Sequence, residues 1–411
     1  MSTVTVKTAA WYGDRDVDLT FPEDWNVETA AFESRPVLTD EQLADIFANP
    51  VGTPRISEMA RGRKSAVILV DDLTRPTPAS RVMPFIIEQL VEAGIDEGSI
   101  LIFIAHGCHR MMHGPDKAKK VGVEVARNFP IRQNEMDDAF INVGTTSYGV
   151  PVEVNQWVMD CEFKIGVGGP TPHGTATFSG GGKIVIPGCC SHRTNRAAHS
   201  EVGHKLGKGF TKAGKEMSPF RLNSEEAARM AGLDATCLLV LNNAREVTGA
   251  VVGDVVEAHR AAVEIARKAY AIRIVEDAEI IVATGYPRDH DINYSGHGLW
   301  PLHASNGATK VLVAAGSEGV GYHRMGIINQ KNTRVEENRE REEQSVPVKT
   351  DVPEFYFMSD VVGPAEVRDV YPNAELLEVW GNARDMLEDR YRGKTPKVAV
   401  YPSSAISYAT A

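Results

Sequence analysis

The sequence predicts an α/β protein of two α/β units, each resembling an αβα sandwich, with an active site in the cleft between them. Three observations carry this reading. Short apolar runs of strand length alternate with segments of helical period along both halves of the chain. Several of these runs end in a polar stretch that carries histidine or arginine. The 411 residues are enough for two domains, each with a sizeable core.

The N-terminal stretch "MSTVTVKTAAWYGDRDVDLTF" alternates and is polar rather than signal-like. "SAVILV" (65–70) reads as a buried strand ending at "DDLTRPTP", and "RVMPFIIEQLVEAG" follows with helical spacing. "SILIFIA" (99–105) ends at "HGCHRMMHG", and "EFKIGVG" (162–168) ends at "GPTPHG". Residues 253–271 read as one long amphipathic helix linking a first domain, 1–271, to a second, 272–411. In the second, "AEIIVATG" (278–285) leads into "YPRDHDINYSGHG" and a helix from about Leu299. "KVLVAAG", "EFYFMS", "ELLEVW", a helix over "NARDMLEDRYR" and the strand "KVAVYPS" complete it. The charged stretch 332–351 reads as a solvated helix or loop. In open parallel sheets ligands bind past the C-terminal strand ends, which directs attention to the polar stretches.

Composition excludes several classes. Hydrophobic residues at 43% and charged residues at 24% are those of an ordinary globular protein. The net charge of -11 argues against a nucleic-acid-binding surface. No apolar run approaches the roughly 20 residues of a membrane-spanning helix. Five cysteines, an odd number with the adjacent pair Cys189 and Cys190 and no CxxC spacing, point to a reducing cytoplasm.

The stretch "HGTATFSGGGKIVIPG" (173–188) sets three glycines and Lys183 before a strand-like apolar segment. A phosphate loop requires Ser or Thr after the lysine, and Ile184 stands there. Two readings remain: a backbone that comes close to a ligand with an amine beside it, or a tight turn with a solvated lysine. Arg75, stiffened by two neighbouring prolines, suits a carboxylate or phosphate clamp, or else bridges Asp71 or Asp72. His106, His109 and His113 have a spacing open to zinc, to a general base, or to ordinary hydrogen-bonded histidines. His199 and His204, five apart, lie on different helix faces, so no thermolysin-like pair forms.

Taken in order, "DDLTRPTP", "HGCHR", "PHGTATFSGGGKIVIPG", His199 and "GYPRDHDIN" resemble the lactate racemase family over most of the chain. The most specific element is a histidine ten residues before a lysine that precedes "IVIPG". The resemblance implies a racemase or epimerase that inverts C2 of a 2-hydroxy acid by proton-coupled hydride transfer. It implies a nickel-pincer nucleotide, pyridinium-3,5-bisthiocarboxylic acid mononucleotide, attached through Lys183, with His199 as the protein's nickel ligand. His109 and His173 match the two catalytic bases, and Arg75 the carboxylate clamp. Asp72, Thr74, Ser179, Gly180, Gly181 and Gly182 are implied to hold the nucleotide or its phosphate. The implied partners are a small hydroxy acid and the cofactor's biosynthetic enzymes.

The sequence departs from the lactate-specific pattern after "GYPRDHDI". A Tyr-Gln pair and a later Lys are matched here by Asn293, Tyr294 and His297, so Tyr294 and His297 are the substrate-contact candidates. A substrate other than lactate is implied: an aldonate, a hydroxy diacid or an aryl-substituted acid. Two rival functions stand beside this one, a histidine-cluster metal-dependent hydrolase and a non-catalytic homologue that binds a hydroxy acid or nucleotide.

Overall fold

A computed structural model of the chain describes residues 1–33, 35–135, 138–204, 217–305, 307–323 and 354–410. The chain forms two units, Ser34–Ala269 and the discontinuous pair Met1–Glu33 with Tyr270–Ala411.

The first unit is built on a six-stranded sheet, ordered Val247–Gly253, Ala235–Leu241, Phe163–Gly168, Ala66–Val70, Ile100–Ile104, Ile131–Gln133. Every residue of Ala66–Val70 and Phe163–Gly168 is buried, which explains why these strands read as continuous rather than alternating apolar runs. Their parallel register aligns Val70 with Ile104 on one side and with Val167 on the other. Three chain segments therefore leave the sheet at one level: Asp71 onward, Ala105 onward and Gly169 onward. This edge carries the candidate site.

Ala235–Leu241 and Val247–Gly253 form an antiparallel hairpin that sequence reading did not resolve. The last strand runs through Gly253, which is why the long helix begins at Glu257 rather than 253 and ends at Tyr270.

The second unit carries a wholly parallel six-stranded sheet, ordered Ala374–Leu377, Phe355–Met358, Thr309–Val313, Ile280–Thr284, Lys397–Tyr401, Asn26–Thr29. Its edge strand comes from the start of the chain. The expected first domain, 1–271, therefore loses its first 33 residues to the second unit. The reason is local: "NVET" is short and polar, and acquires strand geometry only by pairing with Lys397–Tyr401. The hairpin of Ser2–Thr8 and Arg15–Phe21 supplies Val6, Leu19 and Phe21 to the same core as Val282, Val313, Val400 and Trp380.

Two further expectations are corrected. The helix expected from Leu299 is one 3-10 turn, Trp300–His303, because Pro301 suits only a first turn and Gly307 lies just beyond. The segment after Lys183 is not a strand: Lys183 sits in a 3-10 turn, Gly181–Ile184, entered through positive φ at Gly180 and Gly181, and residues 185–189 continue as turns. The charged stretch 332–351 lies outside the described residues. Among the described residues, no helix is long and apolar enough to cross a membrane.

Candidate active site

The residues after the Ala66–Val70 strand form the first half of the site. Asp72 is 3% exposed; its Oδ1 accepts from Thr74 N at 2.7 Å, and its Oδ2 lies 2.7 Å from His109 Nδ1. Burial alone would raise its pKa, but His109, Arg75 and the Thr74 hydrogen bond outweigh burial and hold the carboxyl well below its ordinary value. Nδ1 of His109 therefore donates, and chemistry at this ring falls to Nε2. Arg75 donates from Nη1 to Thr74 Oγ1 at 2.8 Å, and Thr74 Oγ1 lies 3.2 Å from His109 Nδ1.

The loop is tied down by Lys120 rather than by Arg75. Lys120 is wholly buried on the helix Gly114–Val121 and donates to Asp71 Oδ1, Arg75 O and Thr77 O at 2.7, 3.1 and 2.9 Å. Burial pushes Asp71 up and Lys120 down, yet an amine that donates to three acceptors is an ammonium, so the ion pair stands.

The second half lies past Phe163–Gly168. His173 Nδ1 faces the backbone N–H of Thr175 at 3.2 Å and of Ala176 at 3.3 Å. Thr175 Oγ1, 3.3 Å from Nδ1, can accept the ring proton there, which leaves the Nε2 lone pair toward the Lys183 ammonium at 3.4 Å. Lys183, 8% exposed, sits 4.8 Å from the centroid of the Phe220 ring, and His199 meets the same ring edge-on at 5.3 Å. His199 Nδ1 lies 2.7 Å from Asn195 O, which fixes the proton on Nδ1 and the lone pair on Nε2, as a metal-binding imidazole requires.

The glycines have a role that sequence reading missed. A Cβ on Gly180 would meet Leu238 at 2.6 Å, one on Gly181 would meet His259 at 3.0 Å, and one on Gly182 would meet the carbonyl of Ser224 at 2.7 Å. The missing side chains make room for the protein itself. The opposite groups are pinned: Arg221 donates to Gly180 O at 2.9 Å and to Phe178 O, and His259 Nε2 donates to Ser179 O at 3.0 Å. His259 Nδ1 accepts from Arg260, whose guanidinium pairs with both Glu225 oxygens. Burial, reinforced by Arg221, pushes His259 well down, so it stays neutral in this role. Ser179 donates to Gly169 O at 2.5 Å and accepts from Thr171 N at 3.0 Å, so its hydroxyl serves the loop.

A cavity of about 50 Å³ joins the halves, lined by Asp72, Arg75, His106, His109, Gly180 and Lys183 among others. The three clustered histidines do not converge. His106 Nε2 bonds Asn134 O, His109 bonds Asp72, and His113 begins a helix whose Asp116 accepts from its backbone. Among the described residues no three metal-donor side chains gather. The side chain of His204 lies outside the described residues. Cys189 and Cys190 are buried, and burial pushes both thiols up, so they are packing groups rather than nucleophiles.

Tyr294 and His297 belong to the other unit. There Tyr294 is 8% exposed, stacks on His297 at 5.5 Å between centroids, and has the Arg288 guanidinium over its ring at 5.4 Å. His297 Nδ1 donates to Tyr294 O at 2.9 Å. Phe220, Lys120, Arg221 and His259 were not singled out by sequence; each lies on a helix whose periodicity marked at most a buried face.

Residues 12–209 match the lactate racemase N-terminal domain. Lactate racemase from Lactiplantibacillus plantarum is 26% identical over 398 residues, covering 92% of each chain. Lactate racemase from Thermoanaerobacterium thermosaccharolyticum is 26% identical over 280 residues, 66% of this chain and 65% of that one. Among solved structures, the lactate racemase apoprotein from Thermoanaerobacterium thermosaccharolyticum superposes with a TM-score of 0.74 at 18% identity, covering 99% of this chain and 100% of that one. A protein from Thermotoga maritima superposes with a TM-score of 0.65 at 17% identity, covering 92% of this chain and 100% of that one.

The fold is of the α/β class, and the curated relatives indicate an isomerase. The chain is thus similar to lactate racemases over most of its length and matches their N-terminal domain over residues 12–209.

Proposed function

We propose that the protein racemises or epimerises a 2-hydroxy acid at C2 with a nickel-pincer nucleotide attached to Lys183. The single observation that carries this reading is the placement of Lys183, whose buried amine stands beside His173 and shares the Phe220 ring with His199. The donor chemistry fits the group. Lys183 offers an amine for covalent attachment, and His199 offers one imidazole lone pair, which sulfur-rich nickel coordination accepts. When bound, the nucleotide supplies a pyridinium ring that accepts and returns a hydride.

The chain's own residues do the rest. Arg75 binds the substrate carboxylate and holds the acid in place while its centre is planar. His109 takes the hydroxyl proton at Nε2, and Asp72 holds that ring in the required tautomer. Because both Asp72 oxygens are engaged by His109 and Thr74, positioning His109 is a better role for it than contacting the nucleotide. His173 is the second base through its Nε2 lone pair, with Thr175 Oγ1 holding the proton side of the ring at Nδ1, and inversion requires one base on each face of C2. The assignment of Tyr294 and His297 to substrate contacts rests on the sequence match.

The test is the denatured intact mass of protein produced beside the cofactor's biosynthetic enzymes. An adduct on Lys183, absent from Lys183→Ala together with activity, is the expected result. Unmodified Lys183 in a host that loads a control racemase, or full activity in Lys183→Ala, overturns the reading.

A further inference from the structure

Lys183 has to lose protons before it can be acylated, and the fold puts an acceptor beside it. An amine attacks a carboxyl-type carbon only as the neutral base, whereas the Phe220 ring face, 4.8 Å from Nζ, favours the ammonium and takes no proton from it. His173 Nε2 lies 3.4 Å from Nζ. The backbone builds this contact: His173 pairs with Thr177 across the short hairpin of Pro172–His173 and Thr177–Phe178, and Phe178 leads directly into the lysine loop. With Thr175 Oγ1 holding the ring proton at Nδ1, Nε2 presents a lone pair to the lysine. His199, the other imidazole against Phe220, has Nδ1 on Asn195 O and keeps its lone pair for a metal.

We propose that His173 carries the protons for the acylation of Lys183, so that the apoprotein attaches its own cofactor before the same ring serves as a base toward substrate. This inference rests on the attachment read above. The cofactor is a thiocarboxylic acid, and its condensation with an amine forms a C–N bond and breaks a C–O or a C–S bond. Loss of sulfide would strip a sulfur from the nickel, so the C–O bond breaks. The Lys183 ammonium and a thiocarboxylate then give a thioamide and one water, with no oxidant or reductant. Two of the three protons on Nζ leave with that oxygen. An imidazole beside Nζ can take a proton from nitrogen and return it to oxygen near neutral pH.

Acylation also ends the contact that engages Nε2. A thioamide nitrogen carries no positive charge and keeps a single hydrogen, so the ammonium facing the ring is gone once the bond has formed. One lone pair cannot serve a charged Lys183 and a substrate hydroxyl together. The two tasks of His173 therefore fall in sequence, attachment first and proton transfer with substrate afterwards.

The experiment mixes purified apoprotein with isolated nickel-pincer nucleotide and follows the adduct by denatured intact mass, so turnover plays no part in the readout. Native protein should gain the mass of the cofactor less one water. His173→Gln keeps a hydrogen-bonding group beside Nζ but carries no proton, and should slow adduct formation by about 10²-fold or more. A ring that only positioned the lysine would be replaced by Gln with little loss. His173→Gly leaves room for an imidazole molecule, and its rate should rise with added imidazole. Should His173→Gly lose its thermal unfolding transition, His173→Gln decides alone. Adduct formation at the native rate in His173→Gln, or a folded His173→Gly that does not respond to imidazole, overturns the proposal, as does an adduct of the cofactor less hydrogen sulfide. No adduct on native protein, from cofactor that modifies a control racemase, overturns the attachment reading and this inference with it.

Discussion

Asp72 and His109 show how one hydrogen bond links stability to chemistry. The Asp72 carboxyl is held below its unfolded value of about 3.9. A depressed carboxyl stabilises the fold fully above the unfolded pKa, and that contribution erodes as pH falls below about 4 toward the folded value. Asp72→Asn should therefore flatten the acid limb of the stability curve, measured by urea unfolding between pH 3 and 7. It should also lower kcat by about 10²-fold or more, since a misdirected general base forfeits most of its effect. Lys183 should load normally, because the adduct does not depend on His109. A native acid limb with native kcat would remove Asp72 from the mechanism. Sequence gave the identities of these residues but not their pairing. Asp72 was legible as part of a charged cluster after a strand; its bond to His109 depends on two strands ending level, which no local pattern encodes.

The loop Phe178–Lys183 makes the corresponding point for an element. Its glycines and lysine stand out in the sequence, which leaves open close approach by a ligand or a tight turn with a solvated lysine. Three successive carbonyls, of Phe178, Ser179 and Gly180, are instead drawn to Arg221 and His259, and the glycines let the loop press on the helices Pro219–Met230 and Glu257–Tyr270. Arg221 is fully buried, and burial pushes its guanidinium down to about 10, still charged at neutral pH. Gly182→Ala is the sharpest test, because its Cβ would lie 2.7 Å from Ser224 O and 3.0 Å from Glu225 Cα, both backbone atoms. Overpacking of this kind costs about 1–3 kcal/mol. Thermal unfolding should shift down accordingly, and the fraction of Lys183 modified in cells should fall with it. Native stability and native loading in this variant would mean the loop is not clamped as described. The continuous strands Ala66–Val70, Ile100–Ile104 and Phe163–Gly168 were legible because both their faces are buried. The segment after Lys183 misled for the same reason: Ile184, Val185 and Ile186 are buried, but in a turn.

At the scale of the whole molecule the two units differ in how the chain builds them, and this has a consequence for folding. Ser34–Ala269 is continuous, whereas the second sheet takes its edge strand Asn26–Thr29 from the N-terminus. The N-terminal segment also satisfies a buried charge, since Asp289 accepts from Thr8 Oγ1, Ala9 N and Ala10 N at 2.7, 2.8 and 3.0 Å. A fragment 270–411 would expose the Lys397–Tyr401 strand and leave Asp289 with fewer donors; losing partners around a buried charge costs several kcal/mol. It should aggregate or show the broad unfolding of a partly ordered chain. A permuted fragment that joins residue 411 by a flexible linker to residues 1–33 restores the strand and the donors, and should unfold cooperatively in circular dichroism and protect the amides of Ile280–Thr284 from exchange. Fragment 34–269 contains its whole sheet and should fold without either. Cooperative folding of 270–411 alone would show that the N-terminal strand is dispensable, and that the unit is held by its own five remaining strands.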